Sequence, residues 1–147
     1  MKIIRANLNH LDVLSHLFDQ YRQFYDQEAD FTGCRSYIRQ RLANDESIIF
    51  MAQTDEGETI GFTQLYGSFC SVDMRKILYL YDLYVVPTAR RSGVGTGLMT
   101  VAKEYAETYG ASRVTLQTAH DNAPAQALYE SLGYVRETHF YTYNLHL

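Results

Sequence analysis

The feature that most constrains this chain is a join between two elements. Ile77–Val86 reads ILYLYDLYVV, too continuously apolar for a half-exposed strand, so it is expected to be a central strand covered on both faces. Pro87 ends the run and Thr88–Ser92 is a polar, basic loop. From about Gly93 to Tyr109 a helix is expected, with Leu98, Val101, Ala102, Tyr105 and Tyr109 on one face and Gly110 as its stop. A buried strand that hands over to an amphipathic helix requires a sheet beside it and helices over it. The remaining segments must supply them.

They do so in a readable order. Lys2–Ala6 is a short strand, and Asn9, with Asp12 three residues on, is expected to cap a helix. Leu11, Leu14, Leu17, Phe18, Tyr21, Phe24 and Tyr25 then fall on one helical face. An acidic, aromatic connection, Asp26–Phe31, leads to a weaker helix from about Arg35 to Leu42. Ser47–Gln53 and Thr59–Phe69 flank the turn Thr54–Gly57 and read as an antiparallel hairpin. Beyond the central strand and its helix, Arg113–Thr118 alternates as a strand. Ala123–Leu132 is a short helix capped by Asn122 and stopped by Gly133, and Phe140–Leu145 reads as a last strand. The order β-α-α-β-β-β-α-β-α-β is that of one α+β domain over residues 1–147, a mixed, mostly antiparallel sheet flanked by helices.

Composition narrows the class. A chain of 147 residues, 46% hydrophobic, closes a core without disulfides or a structural metal. Its formal net charge of −4 argues against the broad basic footprint of a nucleic-acid binder and suits a cationic or neutral small partner. Cys34 and Cys70 lie in no C-x-x-C or Cys/His ligand spacing and are expected to be reduced, so no metal site is expected. Lys2, Arg5 and Asp12 break any apolar leader, and no run approaches the length of a membrane span. The expectation is a cytoplasmic protein without membrane contact.

The glycine-rich join carries the chemistry. Arg90-Arg91-Ser92-Gly93-Val94-Gly95-Thr96-Gly97 stands where the strand becomes the helix. Glycines let a backbone approach a ligand closely, and the N–H groups of a first helical turn favour an anion. Two arginines add charge-assisted donors suited to phosphate or pyrophosphate. A P-loop would need Gly-Lys-Ser/Thr, and a dinucleotide fingerprint G-x-G-x-x-G; neither occurs here.

What remains is R-x-x-G-x-G (Arg90, Gly93, Gly95) after a strand holding Asp-Leu-Tyr-Val (Asp82–Val85). It is followed by N-x6-Y-x3-G-Y (Asn122, Tyr129, Gly133, Tyr134). Together these resemble the GNAT superfamily of N-acetyltransferases, and within it the branch of polyamine and yeast histone-type enzymes. The order of elements matches over nearly the whole chain, the specific motifs only over Asp82–Tyr134.

The resemblance implies acetyl-CoA as donor. Arg90, Arg91, Ser92, Gly93, Val94, Gly95, Thr96 and Gly97 match the pyrophosphate turn. Leu83, Tyr84 and Val85 match the stretch along which the acetyl and pantetheine arms lie, with the Leu83 and Val85 backbone groups pairing as a strand would. Asn122 matches the CoA-contacting asparagine and Tyr129 the tyrosine near the thioester sulfur. The implied reaction is direct attack of a neutral amine, with a backbone N–H such as that of Leu83 stabilising the oxyanion and Tyr129 protonating the leaving thiolate. A tyrosine, with a reference pKa of about 10, is still protonated at neutral pH.

Related enzymes often carry a glutamate base where this chain has Tyr81. Asp82 is the nearest acid, pointing to the other face, and His120 is a second candidate; an amine that arrives as the free base needs neither. Tyr25, Asp26, Glu28 and Tyr81 are candidates for the acceptor pocket, the carboxylates and rings suiting a cationic amine of a small molecule or peptide. Phe140–Leu145 offers either homodimer contacts or a covered edge. The alternative to an enzyme is a CoA-binding or regulatory module of the same fold, a reading that the missing acid at Tyr81 keeps open.

Overall fold

The computed structural model describes residues 1–147, in two compact units, Met1–Leu116 and Gln117–Leu147. The larger unit holds a five-stranded sheet in the order β1-β2-β3-β4-β5. β1 (Lys2–Arg5), β2 (Ile48–Gln53), β3 (Thr59–Cys70) and β4 (Arg75–Val85) pair antiparallel, and β5 (Val114–Thr115) joins β4 in parallel. The parallel pair needs a crossover, supplied by α3 (Val94–Tyr109). Alternation along β2 shows how both faces are covered. Ile49 and Met51 enter a core cluster with Leu14 and Leu17 of α1 (Leu11–Phe24) and Ile38 of α2 (Phe31–Ala43). Phe50 points the other way, its ring 5.7 Å from that of Tyr105 on α3.

The expected α+β architecture and the covered central strand are found, with local differences that have physical causes. Asn7, not Asn9, is the first cap: its side chain accepts the Asn9 N–H and His10 answers back to the Asn7 N–H, which closes a single turn at Leu8–His10 before α1 begins. α2 starts at Phe31 rather than Arg35, because Asp30 caps it and Asp19 holds the Asp30 N–H at 2.9 Å. Most of the acidic connection is thereby consumed. β5 is shorter than Arg113–Thr118, and Phe140–Leu145 joins no sheet.

The smaller unit is built around α4 (Ala123–Ser131). Its end is a Schellman motif: Gly133 has φ +89°, its N–H reaches the Glu130 carbonyl, and the Tyr134 N–H reaches that of Tyr129, each at 3.1 Å. No helix of the structure is long and apolar enough to cross a membrane.

Candidate active site

The site begins with a fault in the sheet. Gln64 pairs with Asp82 and Leu65 with Leu80, so Tyr81 is an extra residue and bulges out of β4. The bulge separates neighbours by face: Tyr81 is 67% exposed and Asp82 4%. On the β5 side, pairing stops at Tyr79. From Tyr81 onward β4 therefore has one edge without a strand. The Val86 N–H donates to Ile60 on β3 at 3.0 Å, so strand alternation turns the backbone groups of Leu83 and Val85 toward the open edge. There the Val85 carbonyl accepts Arg90 Nε at 3.0 Å, and the Arg90 guanidinium lies 5.5 Å from the Phe24 ring centroid.

The turn that follows is short of acceptors. Arg91 and Gly93 both take the left-handed conformation, with φ of +61° and +83°, and Gly93 is the N-cap of α3 but has no side chain to cap with. The N–H groups from Arg91 to Thr96 find no acceptor in the protein. Gly97 differs, because its N–H is taken by the Gly93 carbonyl at 2.9 Å. A Cβ at Gly97 would meet Ile3 Cδ1 at 3.0 Å, so that glycine serves packing against β1. Six unclaimed donors, a positive helix end and Arg91 suit a diphosphate such as that of coenzyme A.

Behind the bulge lies a polar chain inside the core. Ser47 Oγ donates to Gln64 Oε1 at 2.7 Å, and Gln64 Nε2 donates to Asp82 Oδ2 at 2.6 Å. Burial raises the Asp82 carboxyl above the ordinary carboxylate value, while the hydrogen bonds from Gln64 and Tyr21 pull it down. The Tyr21 hydroxyl also reaches the Tyr81 carbonyl, at 3.4 Å. Beside this chain the Tyr66 and Tyr37 hydroxyls are 2.7 Å apart, and the Tyr81 ring meets Tyr66 edge-on at 5.7 Å. Burial pushes the Tyr66 phenol far up, with the Tyr37 hydrogen bond and the Asp82 charge acting in the same direction, so the hydroxyl keeps its proton.

Tyr25 continues the aromatic wall from the end of α1, its ring 5.1 Å from Tyr21. Asp26 follows with φ +61°, and both it and Glu28 are exposed. Asp30, the third acid of the connection, is spent on the α2 cap. The sequence reading passed over Gln64, Tyr37 and Tyr66, and placed Tyr21 in the core alone. One signal was present: a glutamine within the apolar strand Thr59–Phe69 has to find a buried partner.

In the smaller unit, Asn122 Oδ1 accepts the Ala125 N–H at 3.3 Å and so caps α4. The Tyr129 and Tyr134 rings stand 6.0 Å apart, and burial raises the Tyr134 phenol. His120 is exposed, and its carbonyl accepts Gln126 Nε2 at 3.0 Å.

The model of the Acetyltransferase (GNAT) family matches residues 11–134. The chain belongs to the GNAT family. Members of this family use acetyl-CoA as donor, and the protein is an N-acetyltransferase. It is 46% identical over 147 residues to the uncharacterized N-acetyltransferase YhfO of Bacillus subtilis (strain 168), a match that covers 100% of this chain and 98% of that one. A crystal structure of a probable acetyltransferase superposes with a TM-score of 0.95 at 38% identity, covering 100% of this chain and 98% of the other. The fold is shared too with AAC(6')-Iy, solved with a bisubstrate analog, CoA-S-monomethyl-acetylneamine, at a TM-score of 0.84 and 20% identity, over 99% of this chain and 98% of that one.

Proposed function

We propose that this GNAT enzyme acetylates a primary amine of a small molecule or peptide by direct attack in a ternary complex, as a cytoplasmic homodimer. One observation carries the reading: the unclaimed N–H groups of Arg91–Thr96 follow directly on the unpaired edge of β4. In this reading the turn and Arg91 hold the diphosphate, with Ser92, Gly93, Val94, Gly95 and Thr96 giving backbone donors. Arg90 exchanges the Val85 carbonyl for phosphate oxygen, which frees Leu83 and Val85 to hold the pantetheine arm as a neighbouring strand would. Tyr84 packs behind them.

Bound acetyl-CoA supplies a thioester carbonyl and a thiolate leaving group. The Leu83 N–H donates to the carbonyl oxygen and Tyr129 gives its phenolic proton to sulfur. Tyr25 and Tyr81 line the acceptor's path and Asp26 and Glu28 draw a cationic amine toward it. Asp82, already raised toward the range of a useful base, takes the amine proton by way of the Tyr21 hydroxyl. Asn122 contacts the cofactor while it caps α4.

Two measurements test this. Acetyl-CoA at about 100 times its Kd is expected to stabilise the fold by about 2.7 kcal/mol, with no effect from ATP or NAD. An equal shift with ATP would overturn the donor assignment to the turn. CoA release with a panel of polyamines, amino acids, aminoglycosides and basic peptides is expected to single out a cationic amine; release with none of them would remove the acceptor reading.

A further inference from the structure

Most of the buried polar side chains converge on one carboxylate. Ser15 bonds the Leu11 carbonyl within α1, and Asp19 holds the start of α2. The other four, Ser47, Thr63, Gln64 and Asp82, form one group behind the bulge. Thr63 Oγ1 donates to the Asp82 backbone carbonyl at 2.8 Å. Gln64, completely buried, spends both ends of its amide: Oε1 accepts Ser47 Oγ and Nε2 donates to Asp82 Oδ2. Apolar side chains packed in place of such a buried set are often neutral or stabilising, so filling the core does not account for it.

We propose that Gln64 is a positioning residue for acetyl transfer, a neutral clamp that holds the Asp82 carboxylate in one orientation while its other oxygen, Oδ1, takes the amine proton and gives it up again. This role rests on the reading of Asp82 as the base. As the new N–C bond forms, the amine gives one proton to the Tyr21 hydroxyl, which passes its own to Oδ1, and the same route returns it to water. The residue type fits this cycle. A lysine or arginine here would pair with the carboxylate and keep it ionised, whereas an amide N–H donates to the carboxylate and to the carbonyl oxygen of the protonated acid alike. No bond has to be exchanged as the proton comes and goes. The amide is also held one way round: Ser47 gives its proton to Oε1, and a reversed amide would set that oxygen against Asp82 Oδ2, two acceptors face to face. The place fits as well, because Gln64 pairs with Asp82 at the step where Tyr81 bulges out. The titratable groups around the carboxyl are Tyr21 on α1 and Tyr66 on β3, with Tyr37 and Arg41 of α2 behind Tyr66 and Glu46 paired to Arg41 at 3.5 Å. Tyr66 and Arg41, both raised, keep their protons through the neutral range.

Two titrations on the full chain test the clamp: the Asp82 carboxyl followed by carbon-13 NMR, and kcat for CoA release with the most rapidly acetylated amine of the panel. Gln64→Met keeps a side chain of similar length and removes the donor. It is expected to raise the Asp82 midpoint by about one pH unit, the tenfold weight of one charge-assisted hydrogen bond, and to move the acidic limb of kcat up by the same amount. The Kd for acetyl-CoA should stay within about twofold, since the turn that holds the diphosphate is untouched. Asp82→Asn is expected to abolish the limb. Should Gln64→Met not fold, Ser47→Ala replaces it, with a shift of about half a unit in the same direction. A midpoint that stays in place in the variant used overturns the clamp and leaves the base reading standing. A midpoint that moves while the kcat limb does not, or an Asp82→Asn enzyme that keeps the limb, removes Asp82 as the base and Gln64 from acetyl transfer with it.

Discussion

The N-termini of α2 and α3 differ in how they end. Asp30 closes α2 with its own carboxylate, accepting the Gly33 N–H at 2.9 Å, and a Cβ at Gly33 would collide with that carboxylate. α4 is closed in the same manner by Asn122. α3 opens on Gly93, which has no side chain, and the donors of its first turn stay unclaimed. Every helix begins with the same orphan donors. A helix that caps itself has finished with them, whereas one that opens on glycine keeps them for a ligand. The contrast separates residues that stabilise from residues that bind.

Four substitutions put that contrast at risk, in descending order of effect. Tyr129 lies on a self-capped helix, so its part is chemistry: Tyr129→Phe is expected to lower kcat about 100-fold or more while the Kd for acetyl-CoA, by calorimetry, moves less than about twofold. Unchanged turnover would remove Tyr129 from the acid role. Arg90→Ala, at the open end, is expected to weaken acetyl-CoA about tenfold, the share of one charge-assisted bond, and more so at low salt. Unaltered binding would leave Arg90 as no more than the partner of the Val85 carbonyl. Asp30→Ala should cost about 1 kcal/mol, seen as a Tm lower by about 2–4 °C, with acetyl-CoA affinity intact. A loss of affinity there would break the division between capped and open ends.

The smallest effect is expected at Asp82, where burial and hydrogen bonds oppose one another. Burial wins and the carboxyl is raised above its ordinary 3.8, so the folded protein holds that proton more tightly than the unfolded chain. The favourable contribution is full below 3.8 and is lost as pH rises through the folded value. Asp82→Asn should remove this dependence, so its Tm is expected to gain on the wild type as pH rises through that window. An Asp82→Asn variant whose Tm falls further behind the wild type as pH rises would mean that the carboxyl is lowered instead.

The sequence by itself determined the features that depend on near neighbours. The apolar run of β4, the glycine turn, the α3 stop at Gly110 and the Asn122 and Gly133 ends of α4 were legible because caps, turns and periodicity are settled within a few residues. Partnership across the chain decided the rest. Asp19 had to come beside Asp30 before α2 could start at Phe31, and β3 had to pass β4 one residue out of step before Tyr81 and Asp82 took opposite faces around Gln64. The same limit explains the C-terminal segment. Its alternation reads as a strand, but a strand exists only where another backbone accepts its hydrogen bonds, and no local pattern supplies that second backbone.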